Sequence, residues 1–133
     1  MLFTLKDYES IPRTIKFADF QHLHSLMQEE IGEDEEALEL YFSLVEIATD
    51  YARIRSQWSI YDREWKIRND EFRTHIHDSL IIRFNVLARY LQSIGKEAVW
   101  RKELGDEKRN PENRKCIGDF GCYLAFVHGL STR

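Results

Sequence analysis

The sequence predicts an all-α fold: a bundle of four principal helices with a short extra helix between the third and fourth, in a single domain over residues 1–133. Between Gly32 and Gly95 the chain contains no glycine or proline, the two residues that most disfavour helix interiors. Over the same stretch, hydrophobic residues recur at the three- and four-residue spacing of amphipathic helices. Both observations favour long helices and disfavour a fold built from strands and turns.

The first helix is predicted over about residues 18–31, with Gly32 in the position that often follows a helix. His24 falls on its apolar face, where we expect a hydrogen-bonded core histidine and not a metal ligand. The residues that share this face are Phe20, Leu23, His24, Met27 and Ile31.

The second helix is predicted to begin in the acidic run of residues 33–36, because carboxylates favour the first turn of a helix. After that run, the polar residues form one narrow stripe. A helix with so much apolar surface is largely covered by its neighbours. The stripe consists of Glu39, Ser43, Glu46, Asp50, Arg53 and Gln57.

An unbroken helix from residue 33 to residue 94 would be about 93 Å long, whereas a compact domain of this length has a radius of gyration of about 14 Å. We therefore predict a break in the polar interval YDREWKIRND, residues 61–70. Asn69 or Asp70 is then the N-cap of the next helix. Aromatic residues keep helical spacing across this interval, so a protruding helix, or a long arm that pairs in a dimer, is the alternative.

The third helix is predicted over about residues 70–94, ending at Gly95. Residues 80–87 are apolar almost all round, as in the central helix of a bundle. A short helix should cover about residues 96–104. The last helix is predicted from Asn110 as cap and Pro111 as first residue to His128, with Gly129 just beyond. Small residues on one side of it should admit a close neighbour: Gly118, Gly121 and Ala125.

Composition limits the possible functions. Hydrophobic residues make up 43% of the chain, enough for a core, so disorder is not expected. The net charge of −4 argues against a general binder of nucleic acid, whose affinity depends on clustered cations. We expect no signal peptide, no membrane span and a cytoplasmic location, with Cys116 and Cys122 as free buried thiols.

Charge is distributed unevenly along the chain. Residues 17–52 contain ten acidic residues and no lysine or arginine, whereas residues 53–115 contain fifteen lysines and arginines and ten acidic residues. Such polarity can steer a partner or orient two subunits. The alternative is that the acidic helix faces solvent and pairs partly with basic neighbours, because charged stripes on helices are normally solvated.

The segment RNDEFRTH, residues 68–75, resembles the arginine-to-histidine signature of the HEPN ribonucleases, which are helical domains of comparable size. The resemblance implies that Arg68, the polar Asn69 and His75 line an RNA-cleaving cleft. On a continuous helix, Arg68 and His75 share a face, where they could activate a 2′-hydroxyl and stabilise charge on a phosphate. Surface residues at a helix start are the alternative interpretation.

No metal or other cofactor is predicted. The HxH pairs at residues 22–24 and 75–77 point in nearly opposite directions on a helix and cannot chelate one ion. Glu71 and His75 could both reach a metal, but the paired Glu-x-x-His motifs of di-iron bundles are absent.

Two further groups are candidate binding residues. Asp78, Arg83 and Asn85 lie in the most apolar part of the third helix, where polar groups either line a pocket, form a structural network or face outward. Trp100 and Arg101 belong to residue types that often anchor protein–protein contacts.

From the third helix onward, HDSLIIRFNVLARYLQSIGKEAVWRKELGD and RKCIGDFGCYLAFVHGL are similar to small all-helical bacterial proteins of uncharacterised function, over about residues 70–130. The resemblance implies a stand-alone cytosolic domain. We predict a non-enzymatic module that binds a protein partner or forms a homodimer, with no membrane contact and nucleic acid not expected. The alternative is a HEPN-like ribonuclease or toxin.

Overall fold

The fold is an all-α bundle, given by a computed structural model that describes residues 17–58, 60–105 and 115–131. Its elements, in chain order, are α1 Phe17–Ile31, α2 Glu35–Trp58, α3 Arg63–Ser93, α4 Val99–Lys102, β1 Leu104–Gly105, β2 Lys115–Cys116 and α5 Ile117–Ser131. Within the described residues, α1, α2, α3 and α5 are the four principal helices and α4 is the short extra helix. The predicted architecture is therefore confirmed.

The two predicted helix ends at glycine are also confirmed. Gly32 has a φ of +50° and Gly95 a φ of +93°, backbone conformations that glycine adopts without a Cβ penalty. Between α1 and α2, Asp34 caps the second helix, since its carboxylate accepts a hydrogen bond from the Ala37 amide at 2.9 Å. The same carboxylate accepts the Tyr90 hydroxyl at 2.8 Å, which joins the start of α2 to the end of α3.

Helix α2 lies at the centre of the bundle, because it packs along both α3 and α5. Small side chains at its buried positions, such as Ala48 and Ala52, let these two helices lie close. The core also takes residues from α1 and α4. Its largest fully buried side chains are Trp100, Phe20, Phe84, Phe120, Leu23, Met27, Leu44, Leu80, Leu87, Leu91 and Ile117.

The break between α2 and α3 lies at the start of the predicted interval, and the predicted caps are wrong. Asp62 is the N-cap of α3: it has extended backbone angles and its carboxylate accepts the Trp65 amide at 2.9 Å. Asn69 instead donates to the Trp65 carbonyl at 2.8 Å, inside the helix. Asp70 pairs with Arg73. The polarity of residues 63–70 reflects exposure of a helix, not its interruption.

Helix α3 has one buried face, so the expectation of a centrally buried helix is wrong. The apolar residues around its middle include Ile82, which is 59% exposed, and Val86, which is 40% exposed. The buried residues begin near the middle of the helix, at Ile76, and face α2 and α5. They are Ile76, Leu80, Phe84, Leu87, Ala88 and Leu91.

The last helix begins later than predicted. It starts at Ile117, because Lys115 and Cys116 pair in parallel with Leu104 and Gly105 as a two-residue strand. The helix continues past His128 through Gly129 to Ser131. The predicted cap Asn110 and first residue Pro111 lie outside the described residues. The sequence of one segment cannot predict so short a strand, because each strand forms only by pairing with the other, ten residues away.

The predicted close approach along α5 is confirmed. A Cβ at Gly118 would lie 2.8 Å from the Tyr51 hydroxyl of α2, and one at Gly121 would lie 2.9 Å from a Leu80 methyl of α3. Both distances are shorter than carbon normally tolerates, so glycine sets the spacing of α5 from its two neighbours. Among the described residues, no helix is both long and apolar enough to cross a membrane.

Candidate functional site

An aromatic cluster closes the end of the α2–α3 hairpin. The rings of Trp58 and Trp65 meet edge-on with centroids 5.5 Å apart, and Tyr61 stacks on Trp65 at 4.4 Å. The guanidinium of Arg73 lies 4.9 Å from the Trp58 ring centroid, a cation–π distance. The cluster thus contains two half-buried tryptophans, a tyrosine and an arginine. Tryptophan, tyrosine and arginine are the residue types that contribute most to protein–protein binding.

Aliphatic and aromatic side chains near this cluster are open to solvent. Ile60 is 76% exposed, Ile67 66% and Phe72 56%. The reason is the length of α3, whose 31 residues extend over about 46 Å. Its buried residues begin only at Ile76, so residues 63–75 form a helical segment with water on most sides.

Two adjoining depressions run along this exposed segment, and together we call them the α3 groove. The first has a volume of about 280 Å³ and is lined by Trp58, Arg63, Lys66, Ile67 and Asp70. The second has a volume of about 560 Å³ and is lined by Ile67, Asp70, Glu71, Thr74, His75 and Asp78. Since Ile67 and Asp70 line both, the depressions form one continuous surface.

The α3 groove has opposite charges at its two ends. Arg63 and Lys66 line the end next to Trp58, whereas Glu71 and Asp78 line the other. Asp70, between them, forms a salt bridge with Arg73 at 2.9 Å. Within the described part of the chain, the four terminal charges take part in no salt bridge. The groove therefore has an apolar centre at Ile67, unpaired cations at one end and unpaired anions at the other.

The structure brings only part of the predicted ribonuclease signature together. Arg68 and His75 are both exposed, on a helix that is continuous between them. Seven residues place them on one face, about 10.5 Å apart along the axis. His75 lines the α3 groove, but Arg68 does not. Asn69 is half-buried and bonded to the backbone of its own helix.

Of the polar residues in the middle of α3, two are structural and one lies in the groove. Arg83 donates from Nη1 to the Ser43 carbonyl of α2 at 2.7 Å. Asn85 accepts from Nε of Arg101 at 2.7 Å. Asp78 is exposed and lines the α3 groove, so of these three it alone keeps the predicted binding role as a candidate.

Trp100 and Arg101 do not form a surface contact site. Trp100 is fully buried, and its indole donates to the Glu30 carboxylate at 2.7 Å. The same carboxylate accepts the amide of Ala98 at 3.0 Å, where the chain takes a left-handed turn. Arg101 bonds Asn85 and the Leu104 carbonyl. Both residues therefore hold α4 and the preceding loop on the bundle.

A buried polar cluster joins α1, α2 and α5. The Tyr41 oxygen lies 2.7 Å from Nε2 of His24 and 2.7 Å from Nε2 of His128. The phenol has one proton, so one imidazole accepts it and the other donates its own. Burial, and then the neighbouring His128, lower the pKa of His24 from 6.5 to about 4. The predicted core histidine is confirmed, and this cluster is structural.

A second buried cluster lies where α2 meets the start of α5. Nη1 of Arg55 donates to Oδ1 of Asp119 at 2.7 Å, and both side chains are buried. Cys116 and Cys122 are buried and form no disulfide with each other, as predicted. Burial raises the pKa of the Cys116 thiol, so it is protonated at neutral pH and is not an activated nucleophile. Among the described residues, no group of three or more His, Cys, Asp or Glu side chains could hold a metal ion.

Sequence reasoning found His75 and Asp78 but missed the groove to which they belong. Its other lining residues looked like the polar surroundings of a helix break. A usable signal was present: Trp58, Tyr61 and Trp65 keep aromatic character on both sides of the turn, which is unusual for a solvated hairpin end.

Comparison of the chain with models of protein families, with curated protein sequences and with solved structures finds no match. The resemblances to HEPN ribonucleases and to small bacterial helical proteins therefore stay predictions. The function has to be argued from the α3 groove itself.

Proposed function

We propose that the protein is a non-enzymatic interaction module that binds a partner protein along the α3 groove. The observation that carries this proposal is the exposure of Ile67, which lines the groove together with Trp58, on a helical segment with no buried residue of its own. Contiguous apolar surface on a soluble protein commonly marks an interaction site.

The energetics favour such a role. Covering apolar surface contributes about 25 cal/mol per Å², so burial of one large aliphatic side chain such as Ile67 is a substantial gain. Trp58 and Arg73 are already held by their cation–π contact, which reduces the side-chain entropy lost on binding. Arg63 and Lys66 at the rim add orientation by charge.

The helix itself supplies a matched pair of variants to test this. Ile67 and Ile82 are both exposed isoleucines of α3, but only Ile67 lines the groove. A partner that binds the wild type should bind the Ile82→Asp variant equally well and the Ile67→Asp variant weakly. The Kd values of the two variants should differ at least tenfold. Circular dichroism should show equal helix content in all three proteins. Equal partner binding by the two variants would rule out the groove.

We also place this module in a bacterial cytoplasm. Cys116 and Cys122, which are buried and form no disulfide with each other, support a reducing compartment. The bacterial source follows from the predicted resemblance of residues 70–130 to small bacterial proteins. Fractionation of the native host, with the protein found outside the cytosolic fraction, would contradict this assignment.

A HEPN-like ribonuclease or toxin is the second candidate function. The continuity of α3 from Arg63 to Ser93 favours it, because the predicted break would have separated Arg68 from His75. In this reaction His75 accepts the proton of a 2′-hydroxyl, whose oxygen bonds to the adjacent phosphorus as the bond from phosphorus to the 5′-oxygen breaks. The 5′-oxygen leaves as a hydroxyl with a proton from water, and Arg68 stabilises the charge that develops on the phosphate.

RNA cleavage by the purified protein tests this second candidate. Wild-type protein should cleave single-stranded RNA, and both His75→Ala and Arg68→Ala should reduce the rate by at least a hundredfold. His22 is an exposed histidine of α1, so His22→Ala is the control and should cleave normally. Absence of cleavage by the wild type would eliminate the ribonuclease.

A further inference from the structure

We propose that the partner in the α3 groove is a second copy of this chain, related by a two-fold axis, with the two α3 helices antiparallel. This inference rests on the proposed function and names its partner. It is carried by the distribution of charge and apolar surface along residues 63–78.

The groove is complementary to itself. Its cations, Arg63 and Lys66, precede its anions, Glu71 and Asp78, along the helix. The centres of the two pairs are ten residues apart, about 15 Å along the axis. In an antiparallel arrangement the cationic end of each copy faces the anionic end of the other, so the two charge contacts form twice.

The apolar centre of the groove fits the same arrangement. Ile67 lies between the charged ends and lines both depressions. The two-fold axis that pairs the charged ends passes between residues 69 and 70, about 4 Å along the helix from Ile67. The two copies of this exposed side chain therefore lie on either side of the axis, each against the partner helix, where water would otherwise cover both. Such an interface is isologous and closed, because each copy contributes the same surface.

The shape of the molecule permits this approach. None of residues 63–75 is fully buried, and Trp65, which packs against the core, does not line the groove, so a second helix can lie along the groove without disturbing the packing of the bundle. Trp58, which lines the groove beside Ile67 and is half-buried, can add apolar area to the contact.

The charge pattern also disfavours other classes of partner. A nucleic acid attracted by Arg63 and Lys66 would meet Glu71 and Asp78 further along the same groove, and an acidic protein would meet the same repulsion. A partner needs both signs at matching positions, and a rotated copy of this chain supplies them.

Charge reversal gives a test that needs no other protein. In one variant, Arg63→Glu and Lys66→Glu make the groove acidic throughout; in another, Glu71→Lys and Asp78→Lys make it basic throughout. Sedimentation equilibrium should show a wild-type dimer whose Kd rises with salt. Each variant alone should self-associate at least tenfold more weakly, and an equimolar mixture of the two should recover a dimer.

Arg89 is an exposed cation of α3 that does not line the groove, so Arg89→Glu is the control and should dimerise like the wild type. A dimer that persists in both double variants, or a mixture that stays monomeric, would overturn the inference. A monomeric wild type that loses a foreign partner with Ile67→Asp but not with Ile82→Asp would overturn the second copy and leave the proposed function standing. A monomer indifferent to both substitutions would overturn both.

Discussion

Tyr41 is the residue at which three helices meet through hydrogen bonds. Its oxygen bonds Nε2 of His24 from α1 and Nε2 of His128 from α5. Burial lowers the pKa of both histidines and raises the pKa of Tyr41 well above its usual value. All three groups are therefore neutral at pH 7, and the network needs no counter-ion. This also makes the contact sensitive to acid.

Acid should weaken the fold through His24. Its pKa is about 4 in the folded chain and about 6.5 unfolded, so the unfolded state binds the proton more readily between these values. The contribution of neutral His24 to the free energy of unfolding is complete above pH 6.5 and is lost as the pH falls towards 4. The free energy of unfolding should fall by about 2 kcal/mol from pH 7 to pH 5. Urea unfolding at both pH values measures it.

The variant His24→Asn should show a shallower dependence on pH over this range, although its stability at pH 7 is lower. His128 titrates in the same direction, so some dependence should remain. An identical pH slope in wild type and His24→Asn would show that His24 does not carry the effect.

At the scale of single helices, α3 combines two different halves. From Ile76 onward it packs on α2 and α5, whereas residues 63–75 have no buried side chain. Local order in the first half depends on the Asp62 cap, the Asp70–Arg73 pair and the contacts of Trp65 and Arg73 with the aromatic cluster. Such a segment opens at lower free energy than the core.

Amide hydrogen exchange should report this division. In the monomer at low concentration, residues 63–75 should exchange faster than residues 76–91. Asp62→Ala removes the N-cap, at a cost of about 1 kcal/mol, and should accelerate exchange in the first half alone. Uniform protection along α3, or acceleration of both halves, would show that the helix opens as one unit.

At the scale of the whole molecule, two acidic side chains near the turn between α1 and α2 join distant segments through neutral donors. Asp34 accepts from Tyr90 and the Ala37 amide, and Glu30 accepts from Trp100 and the Ala98 amide. The buried ion pair instead joins Arg55 to Asp119, 64 residues apart in sequence. This pair locks α5, which closes the bundle, onto α2.

Loss of that pair should destabilise the entire bundle. Asp119→Ala leaves the buried guanidinium of Arg55 without its carboxylate, which we expect to cost about 3 kcal/mol. Thermal unfolding should shift to lower temperature by the same amount whether followed by far-UV circular dichroism or by tryptophan fluorescence. Glu46→Ala, at an exposed acidic position of α2 that does not line the groove, is the control and should change little. If the unfolding temperature of Asp119→Ala fell only slightly, the ion pair would not contribute to the stability of the bundle, which would then come from apolar packing alone.

Much of the fold follows from local patterns. Helical spacing, together with Gly32 and Gly95, located α1 and the end of α3, because the conformational preferences of these residues act within a few positions. The small residues Gly118 and Gly121 correctly indicated close helix contact, since the absence of a side chain is itself a packing constraint.

The errors have a common physical origin. Asp62 and Asn69 are equally good caps in isolation, and the structure turns at Asp62, where Trp58 packs on Trp65 and Arg73 across the turn. Trp100 and Arg101 looked like surface anchors, but Glu30 and Asn85, distant in sequence, supply their buried hydrogen-bond partners.

The amino-acid sequence by itself determined an all-α bundle and its helix-forming segments, because these depend on local preference and hydrophobic period. The tertiary structure alone decided which helix faces meet water. It left the first half of α3 exposed and so created the α3 groove from residues that read locally as an ordinary polar surface. Exposure depends on the positions of all other elements, which local preference does not encode.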